Sequence, residues 1–386
     1  MGFLQGRVSW ERFEVGGKAV PLSQTHVDAL ERYSIDERVG AFSDGATVGF
    51  VAGEHVLDLQ FSREKNLVND ALHAAIRIDA VKIPGDLKKA WLEMKIAERA
   101  ADNPSGFPTR KQKQEAKEAV EERIQQETEN GHFKTMRYFP LLWDSRQEIV
   151  YLGSASESVV ERFVPMFEEA FNRPLTRLSA GGVGREKAKA KKLLRSFEDL
   201  HPAAFFGAAN KSYSVSWLGD GGASRDFLGN EFLLWLWWNV EGEADSIRLA
   251  DDSSVAVMMS RTLSLECPLA ETGKETISHE SPIRLPEAKH AVRLGKLPRK
   301  SGLTLNRHDE QYDVTLTAET LGVSGAALPK LDSDTFAEQR QDRVDQIRHL
   351  TETIDLLFGA FVERRISSHW PADLKKLRAW LKEEAE

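Results

Sequence analysis

Cysteine is almost missing: the 386-residue chain holds one, Cys267. A lone thiol forms no internal disulfide, and such cysteine usage suits a reducing compartment. Long apolar runs are missing as well. The longest, FLLWLWW at 232–238, stops at seven residues, far short of the ~18 that a membrane-spanning helix requires. The opening MGFLQGRVSWERFEV lacks the basic-then-apolar order of a secretion signal, so the expected location is the cytoplasm. The phosphate-binding loop G-x-x-x-x-G-K-[ST] and the dinucleotide fingerprint G-x-G-x-x-G are absent. So are H-E-x-x-H, any partner for Cys267 at zinc-ligand spacing, and G-x-S-x-G. No segment repeats at a fixed period and none is a low-complexity linker. These absences point away from nucleotide, zinc and serine-nucleophile chemistry, and no cofactor is expected.

What is present is a core-forming 41% of hydrophobic residues and 29% of charged ones, with a net charge of −8. An acidic total argues weakly against a coat for nucleic acid, but binding depends on the field at the contact rather than on the sum. Three stretches are locally basic: RKQK at 110–113, GREKAKAKKLLR at 184–195 and KHAVRLGKLPRK at 289–300. Any one of them reads as an ordinary solvated face. Three in one acidic chain suggest a polyanionic partner.

The hydrophobic pattern predicts an α+β protein. Strands are expected at 47–51 and 56–61, and a helix over 66–84, part of which also fits a strand. A helix follows from Asp86 as N-cap, with Leu87, Ala90, Trp91, Met94 and Ala97 on one face. DNPSGFP at 102–108 breaks it, and a second helix over 109–129 completes an arm that Asn130-Gly131 ends. Strands at TMRYFPLLWD and EIVYLGSAS flank a turn at Asp144-Ser145, and SESVVERFVPMFEEAFN is an amphipathic helix. KSYSVSWLG and SSVAVMMSRTLSLEC read as strands, 266–300 as loop-rich, and SGLTLNRHDEQYDVTLTAET as two strands around a turn at Asn306–Gln311. A long helix from 334 to 366 and a short charged one after Pro371 close the chain.

Candidate sites arise from these segments with a plainer reading beside each. SAGGVGREKAKAKK at 179–192 places glycines before a helix, the order in which helix N-termini bind phosphate; a flexible loop leading into a basic helix is the better reading. Asp220, Asp226 and Glu231 are carboxylates that a divalent metal can share, as nucleases require, although an acid-rich chain produces such groupings by chance. Phe232, Trp235, Trp237 and Trp238 suit a base-stacking platform less well than a buried core. Phe133, flanked by His132, Lys134 and Arg137, is an awkward core residue, and an aromatic at the tip of an arm can insert into a partner or a groove.

The second helix of the arm carries its charges the wrong way round. Arg110, Lys111, Lys113 and Lys117 come first, and Glu121, Glu122, Glu127 and Glu129 come last, whereas the helix dipole favours the reverse by roughly 0.3–1 kcal/mol per charge. That bias calls for a reason outside the helix.

The order DLKKAWLEMKIAERA, TRKQKQEAKEAVEERI, then HFKTMRYFPLLWD resembles RdgC, a family of bacterial recombination-associated proteins. SGLTLNRHDEQYDVTLTAETLGVSGAALPK with DTFAEQRQDRVDQIRHLTETIDLLFGAFV is similar to the family's closing strands and last long helix, and YSIDERVGAFSDGATVGFV is a third, weaker match. The resemblance implies one elongated, horseshoe-like α+β subunit with antiparallel sheets: a β-rich part from 1–85 with 138–180, a helical arm with a gate tip at 86–137, and a second half at 181–386. It implies a homodimer closing into a ring around double-stranded DNA, with little sequence preference, in the nucleoid, competing with the recombinase RecA. Phe133 matches the aromatic of the family's LPRAF-like turn at the dimer gate, and Arg261 falls near its DNA-contacting pair. Local charge adds Lys134, Arg137, Arg185, Lys187, Lys189, Lys191 and Lys192 as expected phosphate contacts. The chain departs from the family by lacking the PRA of that turn and by extra segments around 62–85, 200–225 and 265–290. The alternatives are a metal-dependent exonuclease built on Asp220, Asp226 and Glu231, and a protein-interaction subunit of a mobile element or defence system.

Overall fold

A computed structural model describes residues 2–37, 45–101, 103, 106–205, 224–242, 246–268, 273–330 and 333–383. Its elements in chain order begin with β1 (Val8–Val15), α1 (Gln24–Arg32), β2 (Thr47–Val51), α2 (Arg63–Asn66), β3 (Leu67–Val68) and β4 (Ala71–Val81). The arm helices α3 (Gly85–Ala101) and α4 (Arg110–Glu129) lead to β5 (Lys134–Asp144), β6 (Ile149–Leu152), α5 (Glu157–Phe171) and β7 (Leu175–Arg177). The second half holds α6 (Ala180–Ala190), α7 (Leu194–Glu198), α8 (Phe227–Glu241), β8 (Ile247–Arg248), β9 (Ser254–Glu266) and β10 (Lys274–His279). It ends with α9 (Pro286–Arg293), β11 (Leu297–Arg307), β12 (Glu310–Thr317), β13 (Val323–Ala327), α10 (Phe336–Ile366) and α11 (Trp370–Lys382).

All the described strands join one antiparallel sheet with the main order β10-β9-β11-β12-β13-β1-β6-β5-β4-β2, while β3 pairs with β4, β7 with β1 and β8 with β9. The α+β expectation holds. β1 is the seam between the halves, and its alternation serves two cores at once. Val8 and Trp10 point to one face, into the core shared with α8 and α10. Phe13 and Val15 point to the other face, into the core shared with α1 and α5. The period of two along a strand makes this possible. Helices therefore cover opposite faces of the two halves, which leaves part of each face open.

α8 is apolar all round, and Phe227 through Trp237 are buried, as expected for a helix enclosed on all sides. Gly229 lets it press on the sheet: a β-carbon there would sit 1.8 Å from the Ala318 carbonyl oxygen. α10 crosses both halves and is bolted down by arginines. Arg12 of β1 donates twice to Asp355, at 2.8 Å each. Arg348 donates to both oxygens of Asp144 at the end of β5, at 2.9 and 2.8 Å. Arg365 donates to Glu231 of α8 at 2.7 Å.

Four segments differ from expectation. Residues 66–84 form β3 and β4, not a helix: Asn69 and Asp70 take positive φ in a tight turn, and β4 then pairs with β2 and β5. Burial on both faces gives such a strand an almost continuous apolar run that hides its alternation. Residues 56–61 form no strand, because the Asp58 carboxylate accepts from the Glu54 and Gln60 amides and curls the chain. The glycines of SAGGVG lie inside α6 rather than in a loop, since Gly181 packs against the Ser224 backbone and Gly184 against Phe197. The segment 266–300 contains β10 and α9 besides loops. The expected strand KSYSVSWLG lies outside the described residues. No helix among the described residues is long and apolar enough to cross a membrane.

Candidate nucleic-acid interface

The expected basic residues do not form one surface. The arm rises from the end of the β4–β5 hairpin, with α3 and α4 closed on a small core of Ile83, Trp91 and Val120. Its tip is the turn before α4, where Phe107 is 77% exposed. Phe133 sits at the opposite end, at the base, where its carbonyl accepts from the Lys82 amide as the chain re-enters the sheet. This corrects the expectation of Phe133 at the tip. Its φ of +62° and 39% exposure leave the ring partly open to solvent.

Lys134 and Arg137 leave β5 on opposite faces, because they lie an odd number of residues apart. The Lys134 ammonium is 2.9 Å from Asp79, which also binds Arg77 at 2.6 Å. Burial works against that carboxylate, but hydrogen bonds from Arg77 and Lys134 hold it below the usual range. The Arg137 guanidinium lies 5.0 Å over the Phe139 ring.

α6 packs with α8 and α10, on the helix-covered side of the second half. Its charges are largely neutralised. Arg185 faces Glu198 at 3.5 Å, Lys189 faces Glu186 at 3.3 Å and Lys191 faces Glu363 at 3.1 Å. The Lys187 stem lies beside Gly359 of α10, while Lys192 follows the helix at φ +59°. Among the described residues no carboxylate pairs with Lys192 or Lys187.

The stretch at 289–300 is similar. Lys289 binds Glu241 at 2.8 Å, and Arg299 binds Glu266 at 2.7 Å and Glu319 at 3.2 Å. Lys296 pairs with Glu275, and Arg293 donates to the Leu381 carbonyl at 2.7 Å. Lys300 is exposed, and no carboxylate among the described residues pairs with it.

Lys300 and Arg261 share the open face of β9–β13, opposite α8 and α10. Leu303, Leu305, Val314 and Leu316 alternate into the core, so Lys300, Thr304, Asp313, Thr315 and Thr317 take the other parity. Cross-strand pairing sets Lys300 between Ser264 and Thr317, and Thr304 between Met258 and Asp313. Arg261 projects from a bulge: the four steps along β9 from Met259 to Leu263 span only two along β11, from Leu303 to Ser301, and Arg261 has φ +67°. Bulges re-aim side chains in this way. Its guanidinium, 59% exposed, meets Asp313 at 2.6 Å. The result is a surface on which the hydroxyls of Ser264, Thr304, Thr315 and Thr317 surround Arg261, Lys300 and Asp313, with Met258 also exposed. Ser/Thr hydroxyls and Arg or Lys side chains are the groups that contact phosphate without reading sequence. Sequence reasoning singled out Arg261 and flagged the basic stretch that ends in Lys300, but not Lys300 by itself or the hydroxyls. Their signal was the hydroxyl parity of SGLTLNRHDEQYDVTLT.

The carboxylates considered for metal catalysis are otherwise engaged. Asp226 accepts from the Gly181 amide at 2.8 Å and thereby anchors the start of α6. Glu231, 1% exposed, accepts from the Ala203 amide at 2.6 Å and from Arg365 at 2.7 Å. Asp220 lies outside the described residues. The aromatic run is core from Phe232 to Trp237, as expected, and Trp238 is half-buried against it. Compared with known proteins, the chain matches no family model and no curated sequence.

Proposed function

We propose that this protein binds double-stranded DNA without strong sequence preference, as a homodimer closing into a ring of the RdgC kind, and performs no chemistry of its own. The observation that carries this reading is the open β9–β13 face, where hydroxyls surround Arg261 and Lys300 on an otherwise acidic chain. Arg7, exposed beside β13 with its guanidinium 2.8 Å from the Gly325 carbonyl, extends it. An acidic exterior with a few reaching cations favours contact with the DNA backbone and lets the duplex slide, because phosphate contacts position a protein without specifying bases. Coating of this kind opposes assembly of a RecA-type filament on the same DNA. Phe133, half-open at the arm base, is the residue to test at a dimer gate.

The testing experiment is binding of a random duplex by the double variant Arg261→Gln/Lys300→Gln. Removing two phosphate contacts per subunit lowers the slope of log K against log salt by about 1.8 per subunit. An unchanged slope in a folded variant refutes the assignment of this face.

A further inference from the structure

A second site lies on the other side of the molecule and does not depend on the DNA reading. Where β4 passes under the N-terminal segment and the start of α10, Gly2, Gln5, Glu54, His73, Phe336 and Arg340 surround a cavity of ≈ 250 Å³. That is far more than the roughly 10–15 Å³ a single water needs on the same measure. Two features of its wall are incomplete.

The first is His73, which is 3% exposed and has no hydrogen-bond partner at either ring nitrogen among the described residues. Buried polar atoms are nearly always paired. Two glycines flank the ring: a β-carbon on Gly53 would approach its Cε1 to 2.7 Å, and one on Gly2 its Nε2 to 3.4 Å. Burial, with Arg340 and Lys65 nearby, pushes His73 down to about 3, so it stands as a neutral N–H donor. The second is Arg340, half-buried, which donates to the Lys65 carbonyl but meets no carboxylate among the described residues. Burial draws it below its ordinary value, and Glu54 offsets this only in part. Glu54 itself lies 3.6 Å from the Lys65 ammonium, which binds Asp58 at 2.6 Å. Both carboxylates lie closer to Lys65 than to Arg340, so Arg340 feels Glu54 only at longer range and has no carboxylate in contact among the described residues.

A partly desolvated guanidinium with no carboxylate in contact gains from an oxyanion placed against it. Arginine presents a planar fork that suits carboxylate and phosphate oxygens. We infer that this cavity binds a small oxyanion, a phosphate or carboxylate group, held by Arg340 with the Gln5 amide and with the His73 N–H as the inner donor, against the Phe336 ring.

The test is titration of the full-length protein, with its histidines isotopically labelled, with inorganic phosphate or acetate, against sodium chloride at equal ionic strength. The expected result is a saturable shift of the His73 ring signals that chloride does not produce. The relative strength of the two anions separates a phosphate site from a carboxylate site. Arg340→Gln should abolish the shift, and Gln5→Leu, on an exposed residue, should weaken it if Arg340→Gln fails to fold. His73 signals that move no further than in chloride overturn the inference, as does an unaltered shift in both variants.

Discussion

Asp144 is the sharpest place to test how the two halves are held together. It ends β5 with its side chain 1% exposed and receives two bonds from Arg348, itself 10% exposed. Substituting Asp144→Ala removes the counter-charge and leaves a buried guanidinium. Breaking a buried pair from one side costs about 3–5 kcal/mol. Arg348 keeps Asp345 at 2.9 Å and the Asn69 carbonyl at 2.6 Å, so the lower end of that range, about 3 kcal/mol, is expected. Removing both partners is different. Asp144→Leu with Arg348→Met leaves no buried unpaired charge, since Asp345 is 57% exposed, and such exchanges are often neutral or better. Urea unfolding followed by circular dichroism should show a lower midpoint at unchanged slope for Asp144→Ala, and a midpoint near wild type for the double variant. A loss below about 1 kcal/mol in the single variant, or a double variant as unstable as the single one, refutes the argument.

Asp313→Asn should strengthen DNA binding, because it frees Arg261 and removes a negative charge from the open face. A screened unit charge several ångströms from a phosphate is worth under about 1 kcal/mol, or about threefold in affinity, and fluorescence anisotropy at low salt reads it; weaker binding would show that Asp313 orients Arg261 productively. The pH dependence of stability should carry the mark of His73. Its folded value of about 3 lies below the ordinary 6.5, so between these the unfolded chain holds a proton that the folded chain does not. Stability from this group is complete above pH 6.5 and falls, by roughly 1 kcal/mol per unit, as pH drops towards 3. His73→Gln should flatten urea midpoints measured across the acid range, and an unaltered profile would contradict the burial of a neutral ring. Incubation with Mg²⁺ should leave duplex length unchanged on a gel; Mg²⁺-dependent shortening would revive the nuclease alternative.

Much of the fold was legible because its signals are local. The arm helices, α5 and α10 were each announced by periodicity and a boundary: Thr109 and Thr335 cap with Gln112 and Glu338 in reciprocal boxes. β11 and β12 were legible from alternation around a two-residue turn at His308-Asp309, both at positive φ. β4 was not, because a strand buried on both faces reads like the buried side of a helix. The glycines of α6 misled for a related reason. They mark close packing against Ser224 and Phe197, which lie 43 and 13 residues away from their partners Gly181 and Gly184, and no local pattern reports that.

The candidate site was legible only in part. Charge in a sequence says where cations are, not which are spent. Arg185, Lys189, Lys191, Lys289, Lys296 and Arg299 all find carboxylates, most of them remote in the chain. Lys300 finds none among the described residues, and nothing near it in sequence distinguishes it from Arg299. The inverted charge of α4 has a partial answer in the fold. Its basic end stands at the outer tip of the arm, with Arg110, Lys113 and Lys117 exposed, and its acidic end faces the base, where Glu127 meets His132 at 2.5 Å.

The most direct test of the proposed function is the affinity of the wild-type protein for a short random duplex at about 50 and 200 mM salt, without Mg²⁺. Arg7, Arg261 and Lys300 in each of two subunits give a slope near −5, and hence a drop of roughly 10³-fold between those conditions. That drop, unchanged when the duplex sequence is scrambled, is the predicted result. No binding at the lower salt, or affinity that ignores salt, contradicts it.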